Sequence, residues 1–306
     1  MPVVLAFALF ALLCLPSCRP TPPPSPPTAA GQIAALGSLR AQALATDPQA
    51  PDEALRDAIN HLQDRFACNA ISGCAAHARL VGFGWQARPL VEAAFGRAGF
   101  QASWRARSVH IVAELADPAS EPFLLRQLDD RDPEVRAWAL YGLQRVDARH
   151  QRQRVLEQTA ADTLWLAPAQ LTALWVLQRW GEPDKAMQFQ QILGSLAQQH
   201  MAATALVVGA YLCRQPRSPD CSAALPVMAR HPNFQVRRDA LLAMTARLRP
   251  QYVRALVYLT HDQARSLRQL ASEGLVTLSG GHTATDHQDW QQWCSGGGCG
   301  AVEAGR

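Results

Sequence analysis

The residues of this 306-residue chain best equipped for chemistry are its cysteines and histidines. Cys14 lies in an apolar leader and Cys18 follows it; the other six cysteines form three close pairs. These are Cys68 with Cys74, Cys213 with Cys221, and Cys294 with Cys299. Pairing by proximity is the simplest of the connectivities they allow. An even count suits an oxidising compartment, and short closed loops make local staples on turns. The rival chemistry is metal. His282, His287, Cys294 and Cys299 read H-x4-H-x6-C-x4-C, ligand types that suit tetrahedral zinc at spacings of no common zinc module. Cys68, Cys74 and His77 make a weaker trio. Enzymatic signatures are missing: no Gly-rich phosphate loop, no Gly-x-Ser-x-Gly elbow, no His-Glu-x-x-His. No nucleophile stands at an informative spacing from a base. The expectation is a protein without catalytic residues or cofactor.

These side chains must be carried by helices. The phrase Val135-Arg136-x-x-Ala139-Leu140-x-x-Leu143 recurs about every 31 to 35 residues, centred on Ser108, Ala139, Ala173, Ala205, Ala240 and Ala271. A small residue lets two helices approach closely, and apolar residues one and four positions later share its face. The pattern predicts helix pairs at 52–66 with 72–82, 88–98 with 103–115, 119–129 with 133–146, and 149–160 with 167–180. Three more follow at 183–197 with 199–213, 220–230 with 234–247, and 250–260 with 264–278. Asp132-Pro133-Glu134 supplies a capping Asp, a first-turn proline and an acidic residue at a helix N-terminus. Ser279-Gly280-Gly281 supplies a helix stop. A compact bundle has no reason to keep so constant an interval. The predicted fold is therefore all-α, an α-solenoid of about six to seven helical hairpins spanning 32–281.

Three offsets on the second helices share a face: one before the small residue, two after it and six after it. Towards the N-terminal half this stripe is rich in aromatic rings and guanidinium groups, the side chains most frequent at binding hot spots. The candidate groove for a protein or peptide comprises Arg107, His110, Trp138, Tyr141, Arg145, Trp175 and Arg179. The alternative is that the tryptophans fill space between repeats and the arginines are solvated. Net charge is +4 and Lys185 is the only lysine, too weak a basic balance to imply nucleic acid. The recurrent Arg105, Arg136, Arg237 and Arg268 are expected to form a structural ladder with loop carboxylates such as Asp130, Asp132 and Asp262.

Two resemblances complete the expectation. Val3 to Leu15 is an apolar run of signal-peptide length, and Leu15-Pro16-Ser17-Cys18 after it resembles the lipobox of bacterial lipoproteins. The resemblance implies a signal peptide at 1–17, a diacylated Cys18, and a lipid anchor in the cell envelope. Arg19 in place of Asp resembles the pattern that permits sorting to the outer membrane, facing the periplasm. Pro20 to Pro27 would hold the folded part off the lipid as an extended tether within 18–31. The repeats resemble HEAT-like repeats of the phycobilisome-lyase type, most clearly at Glu121 to Val146 and over about 75–280 as a whole. At the Arg position the blurred units hold Gln170 and Ala202. The segment 282–306 opens on Trp290-Gln291-Gln292-Trp293, similar to the Trp-x-x-Trp tails of some bacterial arrays, and ends Gly-rich. The resemblance implies a scaffold or adaptor with its second helices lining a concave side. The alternatives are a metal-binding or enzymatic protein using the C-terminal His/Cys segment, and a ligand-free structural part of an envelope complex.

Overall fold

The structure, a computed structural model, describes residues 55, 57–59, 68, 69, 73–96, 102–160 and 166–305. The expected signal peptide, Cys18, the Pro-rich tether and most of the first predicted helix lie outside the described residues. Apart from a two-residue antiparallel bridge, the described chain is helical. The bridge joins β1 (Cys68–Asn69) to β2 (Gly73–Cys74), with Cys68 in register opposite Cys74. Helix α1 (Ala75–Gly82) follows. Six helix pairs then succeed one another: α2 (Arg88–Phe95) with α3 (Ala102–Leu115), α4 (Glu121–Gln127) with α5 (Pro133–Arg145), and α6 (Arg152–Glu157) with α7 (Ala167–Arg179). The remaining three are α8 (Asp184–Gln199) with α9 (Ala203–Arg214), α10 (Leu225–Met228) with α11 (Phe234–Ala246), and α12 (Val253–Leu259) with α13 (Arg265–Leu278). Two short helices close the chain, α14 (His287–Ser295) and α15 (Gly298–Glu303).

Each first helix packs on its own second helix, and each second helix packs on the next, from α3 through to α13. The small-residue pattern is what permits this. Ser108, Ala139, Ala173, Ala205, Ala240 and Ala271 are all fully buried at those contacts. Gly142 shows how tight they are: a Cβ there would lie 2.8 Å from the Leu124 methyls and 3.1 Å from Ala113 Cβ. Caps fall where the sequence puts them. The Asp132 side chain accepts from Glu134 N, Pro133 opens α5, and Gly280 and Gly281 leave α13 with positive φ. Ala116, Asp147 and Gly181 turn the chain left-handed just after α3, α5 and α7. Several expected first helices are shorter than predicted, 220–230 most of all: four residues remain in α10, with Pro219 before it and Pro226 in its first turn, and 149–160 keeps six residues in α6.

The recurrent arginines form the expected ladder. Arg105 pairs with buried Asp130 at the turn of the next helix pair, and Arg237 Nε reaches Asp262 Oδ2 at 2.6 Å in the corresponding place. Arg136 and Arg268 each donate to the carbonyl six residues earlier, of Asp130 (2.8 Å) and Asp262 (2.7 Å). Gln170, standing in the arginine position, bonds Thr159 O at 2.9 Å. Ala202 cannot do so and takes a positive φ instead.

Of the three expected disulfides, the two whose side chains are described are formed, while the side chains of Cys68 and Cys74 lie outside the described residues. Cys213–Cys221 ties the end of α9 to the loop before α10, and Cys294–Cys299 joins α14 to α15. Closing so few residues constrains the unfolded chain modestly, by about 2–3 kcal/mol for the eight-residue separation. Cys213→Ser with Cys221→Ser is expected to lower stability by that amount in a denaturant titration against the parent. The tail joined by the second disulfide is held against α12, where Trp290 is buried and Arg254 makes a two-pronged pair with Glu303 (2.8 and 3.0 Å). No helix among the described residues is long and apolar enough to cross a membrane.

Candidate interaction surface

The predicted stripe comes together as one cluster, but it is a plug and not an open groove. Helix α3 contributes Arg107, His110 and Glu114; α5 contributes Trp138, Tyr141 and Arg145; α7 contributes Trp175 and Arg179. The His110 ring stacks flat on Trp138, centroids 3.7 Å apart at 8°. Tyr141 leans on Trp175 at 5.7 Å. Exposure was expected here and is not found: Trp138 is 5 % exposed, and Tyr141 and Trp175 are each 1 %.

The cause is Tyr211. Helix α9 touches α5 as well as α7, and Tyr211 then meets His110 (4.9 Å), Trp138 (5.0 Å) and Tyr141 (5.4 Å) edge-on. Its hydroxyl donates to Glu114 Oε1, which also accepts from the Tyr141 hydroxyl at 3.3 Å. Tyr211 and Glu114 both stand six after their small residue, on the predicted face but outside the chosen set. His77, from α1, packs edge-on against His110 at 4.8 Å and joins the cluster unforeseen. What remains accessible is a rim of arginine: Arg145 is exposed, and Arg107 and Arg179 are half-buried. Arg145 Nη2 donates to Glu114 O (3.4 Å), and Arg179 lies over the Trp175 ring while donating to Pro216 O (2.9 Å).

The electrostatics are those of a closed polar core. Burial alone would raise the Glu114 carboxyl, but the neighbouring His110 and Arg145 hold it below the usual carboxylate range. Burial pushes the Tyr141 hydroxyl up, with the Glu114 charge adding to it. Glu134, which accepts from Trp138 Nε1 at 3.3 Å, is raised by burial. His110 is lowered by burial, and His77 is lowered to about 3 by burial and by His110 beside it. Both phenol hydroxyls thus converge on one oxygen of the Glu114 carboxylate.

This arrangement has a pH signature. Folded His77 and His110 lose protons that the unfolded chain binds below about pH 6.5, so stability falls as pH drops through that window. Glu114 adds the same sign at lower pH, whereas Glu134 and Asp239, raised by burial, oppose it. His77→Gln is expected to remove up to about 2 kcal/mol of the stability lost between pH 6.5 and pH 5. Urea titrations of both proteins at the two pH values measure it.

The zinc alternative is not assembled. Cys294 and Cys299 are bonded to each other at 2.03 Å, which removes both thiolates. His282 stacks on Trp293 (5.4 Å, 16°), while His287 Nδ1 bonds the Thr260 hydroxyl at 2.7 Å. Among the described residues no three metal-binding side chains converge. His287 instead helps line a cleft of about 420 Å³ between the C-terminal end of α12, the start of α13 and the start of α14. The chain matches no protein-family model and no curated protein.

Proposed function

We propose that this chain is a bacterial lipoprotein whose HEAT-like α-solenoid acts as a non-enzymatic adaptor for a protein or peptide in the periplasm. The observation that supports the solenoid reading is the arginine ladder. Arg105–Asp130 and Arg237–Asp262 make the same link between consecutive helix pairs at distant places in the chain. Such links lock one unit to the next in fixed register, as a stack of similar hairpins requires. In this reading the aromatic plug is a rigid floor and Arg107, Arg145 and Arg179 on its rim are the contact residues. Their guanidinium groups suit carboxylates or backbone carbonyls of a partner.

A photo-crosslinking residue placed at Arg145 in living cells, compared with one at the exposed Arg149, tests the adaptor reading. A discrete protein crosslink from position 145 and none from 149 is the expected result; equal, diffuse labelling from both contradicts it. Mooring is tested separately by membrane fractionation. Cys18→Ser is expected to move the protein out of the lipid-modified membrane fraction, and unchanged lipid labelling would contradict the anchor.

A further inference from the structure

The cleft at the C-terminal end is lined by two arginines, Arg265 and Arg268. Residues 214–268 hold ten arginines against three aspartates, with no lysine or glutamate, so the chain's small net charge conceals a basic segment. Four of the ten are paired with carboxylates: Arg237 with Asp262, Arg238 with Asp239, Arg249 with Asp220 and Arg254 with Glu303. Arg265 is exposed and has no ion-pair partner among the described residues. Arg268 spends Nη1 on two carbonyls, of Asp262 and Gln263, and meets no carboxylate among the described residues. Both line the cleft, with Ser272 one turn further along the same helix.

His261 and His287 also line the cleft, ring centroids 4.8 Å apart. The hydrogen bond from His287 Nδ1 to Thr260 holds that ring in place. Asp286 also lines the cleft, and its carboxylate caps α14 through Asp289 N at 3.0 Å. Two guanidinium groups and the Ser272 hydroxyl thus line a cleft that holds one carboxylate. A phosphate group carries enough oxygens to accept from both guanidinium forks and from the hydroxyl together. The volume lies in the range of small-molecule sites and exceeds what a bare anion fills.

We infer that this cleft binds the phosphate group of a phosphate monoester or a phospholipid headgroup, with Arg265 and Arg268 as its charge partners. The inference stands on the cleft alone and holds whether or not the adaptor reading does.

Calorimetric titration of the full chain with inorganic phosphate and with glycerol 1-phosphate, against chloride at matched ionic strength, tests it. Saturable binding of both is expected, weakened about tenfold or more in Arg265→Ala and partly restored in Arg265→Lys. Because Arg265 is exposed and unpaired, circular dichroism should show both variants folded like the parent. Flotation with phosphatidylglycerol against phosphatidylcholine vesicles separates the sources. Selective retention lost in Arg265→Ala assigns a lipid headgroup, and retention equal for both proteins assigns a soluble ester. Absence of saturable binding in the parent, or binding unchanged in Arg265→Ala and in Ser272→Ala, would overturn the inference.

Discussion

Trp175→Ala is expected to cost about 3–5 kcal/mol, enough to unfold much of the population near physiological temperature. The indole is almost wholly buried, touches Tyr141 at 5.7 Å, and donates from Nε1 to Ser218 Oγ at 2.9 Å. Truncation leaves a ring-sized cavity and strips a partner from the Ser218 hydroxyl in the loop closed by Cys213–Cys221. Trp175→Phe keeps most of the volume and loses the hydrogen bond, so its expected cost is about 1–2 kcal/mol. Denaturant titration of the three proteins gives the comparison. A small, equal cost for both variants would mean the side chain is not packed as described, and would return Trp175 to the list of contact residues.

Asp262→Ala is expected to be of similar size, about 3–5 kcal/mol, for an electrostatic reason. Asp262 and Arg237 are both largely buried and joined through two nitrogens, Nε to Oδ2 at 2.6 Å and Nη2 to Oδ1 at 3.3 Å. Removing the carboxylate strands a guanidinium away from water. It also deprives Ala264 N of its acceptor at the start of α13. Replacing both partners together, Arg237→Met with Asp262→Leu, should recover most of the loss, because no charge is then left buried alone. A double variant as unstable as Asp262→Ala would mean that the two charges are not coupled.

How far the sequence carries can be judged from these residues. From α3 onward the second helices, α9 apart, begin and end within a residue or two of where the small-residue phrase puts them, because spacing, caps and glycine stops are local signals; α9 starts four residues late, at Ala203. The arginine ladder was legible for the same reason, as Arg105 and Arg237 sit at one fixed offset from Ser108 and Ala240. The plug was not. Tyr211 and His110 are 101 positions apart, and their contact depends on how α9 is set against α3 and α5. No local side-chain pattern records that placement. The stripe could therefore be identified as one face while its burial was misjudged, and Glu114 passed over although it accepts both phenols. The His282/His287/Cys294/Cys299 set failed differently: spacing brought the types together, but the two thiols are nearer to each other than to either ring needed for a metal.

The separation of floor from rim is the claim on which the functional reading depends. Arg145→Gln with Arg179→Gln, introduced into the chain carrying a photo-crosslinker at position 107, tests it most directly. The account predicts a melting temperature within a few degrees of the parent and loss of the protein crosslink. A crosslink that persists at full yield in the folded double variant would contradict it, since the rim charges would then have no part in holding a partner.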